Sequence, residues 1–222
     1  GISHPHAVDY AVVGCVELST QGNNLGWSDA AMFNLVKVLE LTLTGGRCLL
    51  SGEKIGIDTG DITSYSSFAE LEEAYRKQIE HFTERMIAAC EVVDRLHADI
   101  LPSPFLSAVI DDCIEKGTDV TAGGALYNLS GIQAIQAANI ADSLAAVKKL
   151  IFDERTIEPE ELLRALEADF ETYEQLRLIL LNRVPKYGND VAWVDELGAR
   201  WIKKFAEGLK QYSNVRGGPY HT

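Results

Sequence analysis

Cys15 and Glu17 stand one residue apart in the stretch GCVE. Side chains alternate along an extended chain, so the thiol and the carboxylate point to the same side and line one space. A cysteine that acts as a nucleophile needs a lowered pKa, supplied by a cationic neighbour or a helix N-terminus. A carboxylate does the opposite and pushes a thiol up. His4 and His6 flank Pro5 upstream, but their spacing does not aim them at Cys15, and no Cys/His/Asn constellation stands out. The bland alternative is that Cys15 is a small buried hydrophobe. A neutral thiol that exchanges a hydrogen atom rather than a proton tolerates the acid. The carboxylate is then left to move protons on a substrate while sulfur handles an unpaired electron.

The elements around this pair set where it sits. Residues 9–14, DYAVVG, form a short apolar run with β-branched residues, which predicts a buried strand. Gly14 lets the backbone bend or approach another group closely. STQGNN is loop chemistry. Ser28 is placed to cap a helix whose apolar face is Met32, Leu35, Val36, Leu39 and Leu43, stopped by Gly45 and Gly46. On that reading Asp29 is an acid in a first helical turn, favoured there by the helix dipole. RCLLSG is a candidate second strand, followed by a polar loop over residues 56–65.

Ser67 and Glu70 form an S-x-x-E capping box before a long amphipathic helix. Its apolar face runs through Phe68, Leu71, Tyr75, Ile79, Phe82, Met86, Cys90 and Val93, and LPSP ends it. Ser103 and Pro104 start a further helix that stops near Gly117. DVTAGGALYNLSG is β-like, and an Ala-rich helix is predicted over residues 132–152. Helical stretches are predicted over 158–170, 173–183 and 191–212. The pattern is helix-rich α/β, with three short strands and a parallel arrangement. Three strands cannot close a barrel, so further strands of a parallel sheet are expected outside these residues. The opening residues GIS form no basic-then-apolar leader, and the closing SNVRGGPYHT reads as a Gly/Pro-rich connector. A segment of a longer chain is the expectation.

The 222 residues carry a net charge of −13, with a pI near 4.8. That balance argues against nucleic-acid binding and against docking on anionic membranes. No apolar run reaches the roughly 18 residues of a membrane span. The four cysteines, Cys15, Cys48, Cys90 and Cys113, form no CxxC pair. Neither a zinc site nor a redox dithiol is indicated, and reduced thiols in a cytoplasmic protein are the simplest reading. Cys48, Cys90 and Cys113 read as inert core positions. Trp27 and Tyr127 read as packing residues.

VVGCVE resembles the catalytic finger loop of glycyl radical enzymes, the pyruvate formate-lyase superfamily. GWSDAAMFNL, LPSPFLSAVIDDCIEKGTDVTAGGALYN, ANIADSLAAVKKLIFDE and VPKYGND resemble the same family in the same order. The resemblance spans nearly the whole chain. It implies part of a ten-stranded α/β barrel built from two half-barrels, with the thiyl-forming cysteine on a loop inside it. Residues 1–222 then match the central portion of the catalytic domain. The N-terminal half and the C-terminal glycine radical domain, with its R-V-x-G-Y type motif, fall outside them. The stored glycyl radical is the implied cofactor, on a glycine outside these residues, and no metal or other cofactor is expected to bind within them. The segment by itself is expected to be inactive.

Cys15 is followed by Val16, whereas pyruvate formate-lyase carries two adjacent cysteines. Cys-x-Glu instead resembles the eliminating branch, which includes glycerol and propanediol dehydratases, hydroxyproline dehydratase, choline trimethylamine-lyase and isethionate sulfite-lyase. Arylacetate decarboxylases share the pair. The resemblance assigns Cys15 as the thiyl residue and Glu17 as the base. Asp29 matches the aspartate that contacts substrate hydroxyls in the diol dehydratases. Leu18 replaces their usual proline, and the STQGNN loop also differs. The implied activity is removal of water, or of another leaving group, from a small hydroxylated substrate. A C–N or C–S lyase, a decarboxylase, a formate acetyltransferase-type member and an inactive scaffold are the alternatives. The implied partners are the small-molecule substrate, a radical S-adenosylmethionine activating enzyme, the rest of a parent chain and a second copy in a homodimer. The implied compartment is an anaerobic cytoplasm.

Overall fold

The computed structural model describes residues 1–14, 17–25 and 27–222. Helix α1 (His4–Val8) leads into an antiparallel hairpin of β1 (Tyr10–Val13) and β2 (Glu17–Thr20). Its register pairs Tyr10 with Thr20, Val12 with Leu18 and Val13 with Glu17. β3 (Trp27–Asn34) runs straight into α2 (Leu35–Leu43). The long α3 (Phe68–Ile100) follows, then two single-turn helices, α4 (Pro104–Ser107) and α5 (Cys113–Lys116). β4 (Ser130–Ile135) precedes α6 (Ala137–Val147), which continues as a wider π-turn over Lys148–Asp153. Helices α7 (Pro159–Glu167), α8 (Glu174–Asn182) and α9 (Ala192–Leu209) lead to β5 (Tyr220–His221). The second sheet has the order β3-β4-β5, with β4 and β5 parallel.

The chain forms two compact units. One comprises Gly1–Phe33, Thr83–Gln133 and Ala206–Thr222; the other comprises Asn34–Phe82 and Ala134–Phe205. The second unit holds a helical core in which Tyr75, Trp201, Leu35, Ile140 and Leu144 are fully buried. The Tyr75 and Trp201 rings meet edge-to-face at 4.6 Å. The Tyr75 hydroxyl donates to the Leu35 carbonyl, and Trp201 Nε1 donates to Glu72, so both large rings are buried with their polar atoms satisfied. Asn34 caps α2 by accepting from the Lys37 N–H. At the start of α3 Ser67 accepts from the Glu70 N–H, while the Glu70 carboxylate reaches back to Ser66.

The first unit holds the sheet and the hairpin. Its loop 101–125 is organised around Asp119, which accepts from the Ser103 N–H, the Ser107 hydroxyl and the Thr121 N–H and hydroxyl. Burial pushes this carboxyl up, but those hydrogen bonds outweigh it and hold the pKa down at about 2.

Four expectations change. β1 is a strand, but an exposed one: Tyr10, Val12 and Val13 are 55%, 60% and 47% accessible. Ser28 caps nothing, because the helix begins at Leu35 and residues 27–34 are a strand paired to β4. RCLLSG is a turn closed by an isolated Arg47–Lys54 bridge, with Leu50 in solvent. SNVRGGPYHT is no mere connector. The Asn214 amide donates to the Asn128 carbonyl and Ser130 hydroxyl, Arg216 is buried, and Tyr220 joins the sheet.

Candidate active site

Cys15 lies outside the described residues; the structure places its neighbours on both sides. Gly14 ends β1 with φ +58°, the left-handed conformation that suits glycine. Glu17 opens β2, half-buried, directly across the hairpin from Val13. Its carboxylate folds back over Gly14: a Cβ built on Gly14 would lie 2.7 Å from Glu17 Oε2. The acid is therefore turned toward Gly14, at the end of β1. From the other side the Gln133 side-chain amide, on β4, donates a hydrogen bond to Glu17 Oε1. Sequence reasoning missed Gln133. No local signal marks it, since its partner is 116 residues away.

Asp29 sits on β3, exposed. Its helix-dipole explanation falls with the helix that was expected there. β3 and β4 press together beside it: a Cβ on Gly131 would come within 2.5 Å of the Ser28 carbonyl oxygen. Asp29 is thus one residue from this contact on β3, and Gln133 is two residues from it on β4. The sheet ties the strand of Asp29 to the strand that holds Glu17.

Behind β3 the Trp27 ring stacks on His97 at 5.0 Å, and the Arg216 guanidinium lies 5.9 Å from its centre. Arg216 pairs with Asp94, both almost fully buried, and donates to the Leu129 carbonyl and the Ser130 hydroxyl. Burial lowers the Arg216 pKa, against the Asp94 carboxylate, which raises it. Breaking one partner of such a pair strands a buried charge, so this cluster fixes the sheet from behind. Trp27 does pack, as expected. Tyr127 does more than pack: its hydroxyl accepts from the Ser3 N–H and shares a 2.9 Å hydrogen bond with His6 Nδ1. His6 is thereby engaged in holding α1.

A small cavity of about 70 Å³ is lined by Trp27, Asp29, Ala30, Cys90, Val93 and Asp94. That is well below the roughly 300–1,000 Å³ of pockets that take drug-sized ligands. A concavity of about 620 Å³ lies in the other unit, lined by residues between 57 and 77, and contains none of the expected site residues. Cys48, Cys90 and Cys113 are buried. Burial pushes the thiols of Cys90 and Cys113 up. Cys48 departs from the inert reading, because hydrogen bonds from Ser51, then Lys37, draw its thiol down to about 7.

No helix among the described residues is long and apolar enough to cross a membrane. The family model for pyruvate formate lyase-like proteins matches residues 1–222, and the chain belongs to that family. Among curated proteins it is 38% identical to the (2S)-3-sulfopropanediol dehydratase of Klebsiella oxytoca. That match covers 99% of this chain and 27% of the relative. It is also 38% identical to the trans-4-hydroxy-L-proline dehydratase of Clostridioides difficile, over 94% of this chain and 26% of the relative. Among solved structures, the glycerol-bound B12-independent glycerol dehydratase from Clostridium butyricum superposes with a TM-score of 0.92 at 41% identity. There the match covers 99% of this chain and 28% of that one. The chain spans about a quarter of the length of the curated relatives it matches. Its fold is accordingly an α/β, helix-rich part of the glycyl radical enzyme barrel, and its relatives are dehydratases and lyases.

Proposed function

We propose that residues 1–222 are the central portion of a glycyl radical dehydratase that removes water from a small hydroxylated substrate such as a diol or hydroxyproline. The observation that carries this reading is the Glu17 carboxylate, two positions from Cys15 in sequence, folded over Gly14 and held by Gln133. A radical stored on a glycine outside these residues supplies the one-electron chemistry. Cys15, as a thiyl, takes a hydrogen atom from the carbon that bears a hydroxyl, so the C–H bond breaks and an S–H bond forms. Glu17 accepts the proton of that hydroxyl. The neighbouring C–O bond then breaks, and its oxygen leaves as water after taking up a proton. The product radical recovers its hydrogen atom from the Cys15 thiol, which restores the thiyl. Asp29 accepts a hydrogen bond from a substrate hydroxyl.

The parent enzyme, on this reading, works as a homodimer in an anaerobic cytoplasm after a radical S-adenosylmethionine enzyme has activated it. A C–S lyase is the second reading, favoured by the 32% identity to the isethionate sulfite-lyase of Desulfovibrio desulfuricans over 89% of this chain. The test is anaerobic incubation of the activated parent protein with glycerol, propane-1,2-diol, trans-4-hydroxyproline, sulfopropanediol and isethionate in turn. Aldehyde or dehydrated product from a hydroxylated substrate supports the reading. Sulfite release from isethionate alone would replace it with the second.

A further inference from the structure

The small cavity of about 70 Å³ lies between β3 and α3, with Trp27, Asp29 and Ala30 on the strand side and Cys90, Val93 and Asp94 on the helix side. All six residues belong to the first unit. Two of them carry buried polar atoms that find no hydrogen-bond partner among the described residues, Trp27 Nε1 and Asp94 Oδ2. Asp94 is only 6% exposed. Its other oxygen, Oδ1, is the one paired with Arg216. An indole N–H can only donate, and an ionised carboxylate oxygen can only accept. Each costs free energy if it is left unmet in the interior.

The chemistry of the lining selects the occupant. Two carboxylates, Asp29 and Asp94, disfavour an anion. The Trp27 N–H and the Arg216 guanidinium, 5.9 Å from the Trp27 ring, disfavour a cation. An apolar molecule would leave both polar atoms unmet. A molecule that accepts and donates satisfies both, and the space suits only a very small one. We infer that the β3–α3 cavity is a bound-water site, in which one water accepts from Trp27 Nε1 and donates to Asp94 Oδ2. At roughly 30 Å³ per water, about 70 Å³ leaves room for a second. Asp29 and Val93 are exposed, so the second water stands at that end of the cavity. The bound water joins the strand of Asp29 to the buried Asp94–Arg216 pair. It completes the hydrogen bonding behind β3 that Arg216 begins through the Leu129 carbonyl and the Ser130 hydroxyl. The site goes beyond the proposed function and does not depend on the role given there to Asp29.

The test is a crystal structure of the full parent protein, collected from one native crystal and one pressurised with xenon. The inference expects density for a water within about 3.2 Å of both Trp27 Nε1 and Asp94 Oδ2, and no xenon in the cavity. Xenon enters cavities that are apolar and dry, so xenon bound there would overturn the inference. Arg216 forked onto both Asp94 oxygens with no water beside them would overturn it as well, as would a side chain from elsewhere in the parent chain filling the space. A solution measurement reads the same contact without crystals. The Trp27 part of the ultraviolet resonance Raman spectrum, isolated by subtracting the spectrum of Trp27→Phe, should report a hydrogen-bonded indole N–H. A free N–H there would contradict the bound water.

Discussion

Asp119 and Glu17 are two carboxylates of the same unit, held in opposite ways. Asp119 takes its donors from residues no more than 16 positions away, Ser103, Ser107 and Thr121, and spends its oxygens organising a loop. Glu17 takes an amide from a strand 116 residues on and turns its other oxygen over Gly14. A carboxylate that gathers backbone N–H groups from its own neighbourhood is a structural hub. Glu17 is clamped instead by a distant strand, over Gly14 at the end of β1. The difference is sharpened by surroundings, for the hairpin presents Tyr10, Val12 and Leu18 outward whereas Asp119 adjoins the buried Val120.

The comparison predicts that the two sites fail differently in the full protein. Glu17→Gln keeps the shape and removes the base, so kcat should fall by about 10²–10⁴ while the melting temperature barely moves. Steady-state kinetics and thermal unfolding on one variant decide it. Asp29→Ala should come next. Loss of the acceptor for a buried substrate hydroxyl costs about 1–3 kcal/mol, which is on the order of ten- to a hundredfold in kcat/KM. Unchanged kcat/KM would remove the case for a hydroxylated substrate, and the helix-dipole alternative no longer exists to explain it, since Asp29 lies on a strand.

Asp119→Asn should show the reverse pattern: a loss of stability of about 1–3 kcal/mol, read by denaturant unfolding, with kcat nearly intact. Its pH dependence has a definite sign. The folded pKa, about 2, lies below the ordinary carboxylate value of about 3.9. The stabilisation is therefore complete above about pH 4 and is lost as pH falls through about 2. The asparagine variant should lack that part of the acid destabilisation, which acid titration of unfolding would reveal.

Much of this organisation was legible in the sequence. The α3 face through Leu71, Tyr75 and Ile79 is buried as its 3.6-residue period requires. The capping box, the LPSP stop and helices α7 to α9 also stand close to their expected places. β3 was not legible, because DAAMFN carries weak β propensity and continues without a break into the apolar face of α2. Pairing with β4 overrides that local preference. β4 was hidden in the same way inside an Ala-rich run. Gln136, in the left-handed conformation with φ +68°, separates it from α6, and an isolated glutamine gives no warning of that. RCLLSG misled through its apolar run, although Leu50 faces solvent. Cys15, Glu17 and Asp29 were singled out from residue type and resemblance. Gln133 was not, since a long-range side-chain contact leaves no trace in spacing.

The proposed mechanism makes Cys15 the hydrogen-atom relay. The most direct measurement is anaerobic turnover by Cys15→Ser in the activated full-length protein, with the stored radical quantified by spin resonance in the same sample. A serine O–H bond is too strong to relay a hydrogen atom efficiently, and the substitution is small enough for the fold to accept. The account predicts an intact glycine-centred radical signal with no detectable product. Product formation near the parent rate, with that signal present, would contradict it.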